Sequence, residues 1–241
     1  MKLQPHIIQL EPIRTEFETL LWDATELVNL DDPASLTKEE AFFDSCNRYD
    51  AQTAFFNAEH NYFSGVLPSS AVTEKLAPYL TYLTNAVLPY HTIFRCQVVR
   101  NIPGRCVRPH IDPRLYHEFS HRIHAVLDTN DRCGHVYFDE NDGYKMEVNA
   151  MKAGYLYDFD NITPHSAFNL GTTDRLHIIT DVIPTAFMEK YRHIFEENPN
   201  FVRGGVKDSY YRHVEGVKAR YGDDEGLKQT YLNYLATGVL T

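Results

Sequence analysis

The sequence predicts a mainly β protein with flanking helices, its core a jelly roll over residues 92–184. Three observations carry this. Short β-prone runs follow one another through the middle of the chain, separated by turn residues. Helical periodicity is confined to the two flanks. Aromatic residues reach 13%, with 16 Tyr and 14 Phe, and rings of this size suit a pleated surface.

Residues 1–91 read as a helical or mixed segment packing on the core. Phe17, Leu20, Leu21, Ala24, Leu27 and Val28 recur at helical spacing, as expected of a packing helix. The polar stretch 31–40 reads as loop, with room for a short helix after Pro33. Helical spacing returns from Ser70 to Val87, where Leu76, Leu80, Leu83 and Val87 share one face. The core runs are 92–100, 122–129, 134–139, 144–150, 154–159 and 175–183. Breakers stand between them at 101–104, 129–131, 140–143 and 170–171. Short strands at this spacing suit a jelly roll. Residues 185–241 are helical again, with Phe187, Met188, Tyr191, Ile194 and Phe195 forming one apolar stripe. Three uses suit these helices: covering the sheet, closing a substrate site, or forming a homodimer interface. At 241 residues the whole fits one compact domain.

A formal charge of −10 argues against a nucleic-acid binder, which needs cations to neutralise phosphates. Cys46, Cys96, Cys106 and Cys133 form no C-x-x-C pair and read as reduced thiols of a cytoplasmic protein. The first twenty residues lack the apolar stretch of a signal peptide. No apolar run reaches membrane-spanning length, so no membrane partner is expected. No P-loop, G-x-G-x-x-G or H-E-x-x-H motif is present.

His110 and Asp112 stand two apart, so on an extended chain both point to one side and can reach one metal ion. His165 is the candidate third ligand. Two imidazoles and a carboxylate on one face leave positions open, the facial arrangement of non-haem Fe(II) oxygenases. With 12 His in the chain, a His-x-Asp pair alone is near chance frequency, and His213-Val214-Glu215 competes. That rival lies in a helical stretch, where residues two apart diverge by about 200°. Arg175 follows His165 by ten positions. If His165 ends one strand and Arg175 begins the next, a hairpin sets the guanidinium beside the metal. Its planar fork then suits the distal carboxylate of 2-oxoglutarate. A salt bridge to Asp174 or Asp160 is the competing reading. Alternation places Arg122 and His124 on one strand face and Ile123 and Ala125 on the other. The polar face is either solvated or a second grip on the cosubstrate.

Residues 101–184 resemble the aspartyl/asparaginyl β-hydroxylase family. The matching pieces are Pro103-Gly104 and Pro109-His110, Arg122-x-His124, Gly154, Phe159-Asp160 before His165, Arg175, and Asp181-Val182. The run 122–133 and Pro164-His165-Ser166-Ala167 are most similar to its cis-proline hydroxylase branch. The resemblance implies a double-stranded β-helix of cupin-like form, with Fe(II) and the cosubstrates 2-oxoglutarate and O2. It implies His110, Asp112 and His165 as iron ligands, Arg175 on the distal carboxylate, and Arg122 and His124 near the cosubstrate. Members resembling the vertebrate protein hydroxylase lack the acidic ligand, whereas Asp112 is kept here. The implied activity is hydroxylation of an unactivated C–H bond of an amino acid or amino-acid-like substrate, with formation of succinate and CO2. Two alternatives stand beside it. One is a hydroxylase of Asp, Asn or Pro in a peptide or protein. The other is a non-catalytic cupin-like metal- or ligand-binding protein, which has no need of paired cosubstrate grips. Arg108, Arg114, Tyr116 and His117 lie near the metal segment and are candidate substrate contacts.

Overall fold

The computed structural model describes residues 2–4, 52–55, 78–101, 103–112, 120–197 and 206–239. The expected helix over 15–30, the stretch 31–40, and Arg114, Tyr116 and His117 lie outside the described residues. The described strands are β1 (Lys2–Gln4), β2 (Gln52–Phe55), β3 (His91–Asn101), β4 (Arg105–His110), β5 (His121–Asp128), β6 (Cys133–Asp139), β7 (Lys145–Asn149), β8 (Leu156–Phe159), β9 (His165–Asn169) and β10 (Arg175–Pro184). They form two antiparallel sheets, a larger one in the order β1-β8-β5-β10-β3-β2 and a smaller one in the order β4-β9-β6-β7.

The pairing is a palindrome. β3 pairs β10, β4 pairs β9, β5 pairs β8 and β6 pairs β7. The chain thus behaves as one long hairpin folded about residues 140–144, then rolled until β5 meets β10 and β6 meets β9. This is the jelly roll. At the fold point Asp139 accepts from the backbone N–H of Asn141, and Gly143 and Tyr144 both take positive φ. A two-residue left-handed stretch reverses the chain sharply, and glycine takes such a conformation without steric penalty.

Period-two alternation sorts the side chains into layers. Ile123, Ala125, Leu127, Leu156, Leu176, Ile178 and Val182 face out of the larger sheet, onto Tyr79, Leu80 and Leu83 of the helical segment 78–87. Of the expected apolar face, Leu80, Leu83 and Val87 meet the sheet and Leu76 lies outside the described residues; the last turn, Leu83–Val87, is a π-helix. Helices α1 (Thr185–Glu197), α2 (Val206–Tyr221) and α3 (Asp224–Thr237) follow the last strand. Val217 of α2 and Leu227 and Tyr231 of α3 pack on Val136, Phe138, Met146 and Phe168 of the smaller sheet. Of the three uses expected for the C-terminal helices, covering the sheet is the one these side chains fill.

Apolar cores therefore lie outside both sheets. The gap between the sheets keeps a smaller apolar group, Val126, Tyr137, Met151, Tyr157 and Phe159, and beside it buried polar residues. The rival His213-Val214-Glu215 falls in α2 with His213 buried and Glu215 exposed, so the two diverge as a helix requires.

Two expectations need correction. His165 opens β9 rather than ending a strand, and β9 and β10 belong to different sheets. Residues 170–174 carry the chain across the sandwich, so Arg175 meets His165's side of the gap from the opposite sheet. β4 also lies outside the expected core runs. This edge strand carries exposed Arg105 and Arg108 and a proline, features an edge tolerates and a central strand does not.

Candidate active site

A β-bulge between Val107 and His110 reshapes the end of β4 and sets His110 opposite His165 of β9. Ser166 donates to the Val107 carbonyl at 2.6 Å, and Tyr231 of α3 donates to Ser166 at 3.1 Å. The bulge is thus tied down from within the sheet and from the covering helix. The two imidazole centroids stand 4.3 Å apart. With Asp112 they bring three ligand atoms within 4.8 Å of one another.

Both imidazoles have their tautomer set by the backbone. His110 Nδ1 lies 2.8 Å from the Arg108 carbonyl and His165 Nδ1 lies 2.8 Å from the Thr163 carbonyl. A carbonyl only accepts, so each Nδ1 carries the proton and each Nε2 presents its lone pair. Thr163 is in turn held by Asp160, whose carboxylate accepts from the Ile162 and Thr163 N–H groups and from the Thr163 hydroxyl. Burial, followed by the charge of His110, pushes His165 down to about 3, so it is neutral at pH 7 as a metal ligand must be.

Asp112 accepts from Asn161 Nδ2 at 3.1 Å and from Arg122 Nη1. Arg122 is buried, and it donates to Asp181 through Nε at 2.7 Å and through Nη2 at 2.9 Å. Asp181 is the direct cross-strand neighbour of Arg122. Expected as a grip on an anion, Arg122 already has two carboxylates. It ties the candidate metal ligand to a second, fully buried acid.

Arg175 is placed differently. It bonds neither Asp174 nor Asp160. Nη1 donates to Asn101 Oδ1 at 2.8 Å, while Nη2 faces His135 Nε2 and, at 3.3 Å, His177 Nδ1. All of these partners are neutral. Burial first, then the Arg175 charge, pushes His124, His135 and His177 well below the ordinary imidazole range. Phe159 joins the two groups, its ring 4.9 Å from His124, 4.8 Å from His135 and 5.0 Å from His165. The triad and the arginine thus line one gap.

His135, His177, Asn161 and Asp181 contribute here without having been singled out as site residues. A signal existed for one of them. Arg122-x-His124 on β5 is repeated as Arg175-x-His177 on β10, and these strands are neighbours. The same alternation that turned His124 inward turns His177 inward. Asn161 lies in a loop, where no periodicity applies.

The donor set can hold a first-row divalent metal, since two imidazoles and a carboxylate match Fe(II). A buried guanidinium without a carboxylate partner among the described residues fits an acidic ligand.

The model of the family described as aspartyl/asparaginyl beta-hydroxylase matches residues 9–184. A segment of 117 residues is 32% identical to the L-proline cis-4-hydroxylase of Rhizobium meliloti strain 1021. That match covers 48% of this chain and only 39% of the length of that relative. An oxidoreductase of the 2OG-Fe(II) oxygenase family from Burkholderia pseudomallei is 14% identical, with a TM-score of 0.44, over 63% of this chain and 81% of that one. The viral collagen prolyl hydroxylase of Paramecium Bursaria Chlorella virus-1 is 9% identical, with a TM-score of 0.44, over 75% of this chain and 94% of that one. Likenesses this distant do not bear on the chemistry.

Proposed function

Because the chain belongs to the aspartyl/asparaginyl beta-hydroxylase family, we propose that it is an Fe(II)- and 2-oxoglutarate-dependent dioxygenase that hydroxylates an amino acid or amino-acid-like substrate. The observation that carries this reading is the pairing of two clusters in one gap. His110, Asp112 and His165 converge as a ligand triad, and among the described residues Arg175 stands nearby with neutral partners only.

In this reading His110 Nε2, His165 Nε2 and a carboxylate oxygen of Asp112 hold the metal. Arg175 holds the distal carboxylate of 2-oxoglutarate, with His124 beside it. Arg122 serves the metal side, keeping Asp112 in one orientation against Asp181. Iron, 2-oxoglutarate and O2 together supply the oxidising power for C–H hydroxylation, with succinate and CO2 as co-products. The protein's own task is to aim the substrate bond and exclude water. Phe159, Tyr137, Tyr157 and Val126 provide apolar walls for that purpose. No general base is required of the chain.

The stretch shared with L-proline cis-4-hydroxylase favours a free, proline-like amino acid over a residue within a peptide. None of Cys96, Cys106 and Cys133 is in a disulfide, in keeping with a cytoplasmic enzyme. Among the described residues no helix is long and apolar enough to cross a membrane. The test is succinate release, measured with Fe(II) and 2-oxoglutarate against a panel of free amino acids and short peptides. Stimulation by a free amino acid, L-proline among the first, is expected. Stimulation by peptides alone would move the substrate assignment to the peptide class.

A further inference from the structure

His124, His135 and His177 bring three ligand nitrogens within 4.8 Å of one another, which on donor type alone reads as a second metal site. Hydrogen-bond directions decide otherwise. A guanidinium donates and has no lone pair to offer. Since Arg175 Nη2 faces His135 Nε2 and His177 Nδ1, both ring nitrogens are acceptors. His135 then carries its proton on Nδ1 and His177 on Nε2. His124 Nδ1 lies 3.3 Å from the already accepting His177 Nδ1, so it is the donor of that pair. Two of the three imidazoles that could hold a metal ion face a guanidinium instead. A divalent cation there would sit against a buried positive charge.

We propose that His135 and His177 are positioning residues that fix the Arg175 guanidinium without cancelling its charge, so that this pocket selects a carboxylate ligand over a second metal ion. The proposal rests on Arg175 being the 2-oxoglutarate anchor. The contrast with Arg122 supplies its logic. Asp181 and Asp112 both orient and neutralise Arg122. Imidazole acceptors orient Arg175 equally well and leave its full charge for the ligand. The outer nitrogens add to this, because His135 Nδ1 and His177 Nε2 are buried N–H donors with no partner among the described residues. His124 Nε2 is left with one buried lone pair. Donors therefore outnumber acceptors around Arg175, and an ionised carboxylate is an acceptor-only group.

The test titrates 2-oxoglutarate into the full chain loaded with Mn(II), for wild type, His177→Asn, His177→Leu, His177→Asp and Arg175→Leu. Asn places its amide oxygen where Nδ1 stood, so His177→Asn is expected to bind within a few-fold of wild type. His177→Leu, which removes the acceptor, is expected to bind roughly 10-fold more weakly. His177→Asp supplies a carboxylate partner and is expected to weaken 2-oxoglutarate binding about 100-fold or more, with Mn(II) affinity unchanged. Should the acid prevent folding, the Asn and Leu variants decide between them, and His135→Gln against His135→Leu repeats the comparison at the other imidazole. Undiminished 2-oxoglutarate affinity in His177→Asp, or in both Leu variants, overturns the proposal. If Arg175→Leu also binds as wild type, the anchor assignment itself has failed. If Arg175→Leu loses binding while His177→Asp keeps it, only the imidazole role has failed. A Zn(II) titration giving two equivalents per wild-type chain and one in His177→Leu would establish the second metal site instead.

Discussion

Arg122 and Arg175 are both buried guanidiniums on neighbouring strands, yet their surroundings give them different work. Arg122 lies between Asp112 and Asp181, while Arg175 meets an amide and two imidazoles. Replacing Arg122 by Met leaves the buried Asp181 and the half-buried Asp112 facing each other without that cation. We expect a loss of about 3–5 kcal/mol in denaturant unfolding, the range for breaking a buried ion pair. Metal affinity should fall about 10–100-fold with it, as for other residues that orient a ligand. Calorimetric metal titration reads the second effect, and unchanged affinity would detach Arg122 from the metal. Arg175→Ala leaves the metal ligands in place, so it should raise the KM for 2-oxoglutarate sharply. An unchanged KM would move the cosubstrate elsewhere.

At the scale of elements, the site depends on how the smaller sheet is clamped between the gap and the helices. Phe168 is fully buried and stacks on Tyr231 of α3 at 4.6 Å between ring centroids. A methyl group added at Gly134 would lie 2.6 Å from Phe168 Cζ, and the stacked ring has no room to retreat. Gly134→Ala should therefore cost about 1–3 kcal/mol in unfolding free energy, typical of overpacking. A stabilised variant would mean that this layer is looser than the structure describes. The same layering explains what was legible in the sequence. β5 and β10 alternate visibly, because one face meets an apolar core and the other a polar gap. β9 is buried on both faces, so its side chains show no alternation. β4 hid behind its edge arginines and Pro109. Arg175 was placed near the metal segment by a hairpin that does not exist. The rolled topology brings it there across the sandwich, a long-range consequence of pairing that local spacing does not encode.

For the whole molecule, the consequence of filling a jelly roll with imidazoles is acid sensitivity. Folding holds His165 at about 3, and holds His124, His135 and His177 well below their ordinary 6.5. The unfolded chain takes up these protons near pH 6.5 and the folded chain does not, so the unfolded state binds more protons below that pH. Stability is fully present above about pH 6.5 and falls as pH drops towards the folded values, by at most ~1.4 kcal/mol per pH unit for each imidazole. Unfolding curves at pH 7.5 and pH 5 check this, and equal stability at both would mean that these rings are protonated in the fold. On the proposed function, the triad and Arg175 together serve an Fe(II)- and 2-oxoglutarate-dependent oxygenation. Its most direct test is Fe(II)-dependent conversion of 2-oxoglutarate to succinate, compared between wild type and Asp112→Ala. We predict turnover in the wild type, stimulated by a free amino acid and lost with Asp112. Full activity in Asp112→Ala, or no metal-dependent succinate from the wild type with any substrate offered, would contradict it.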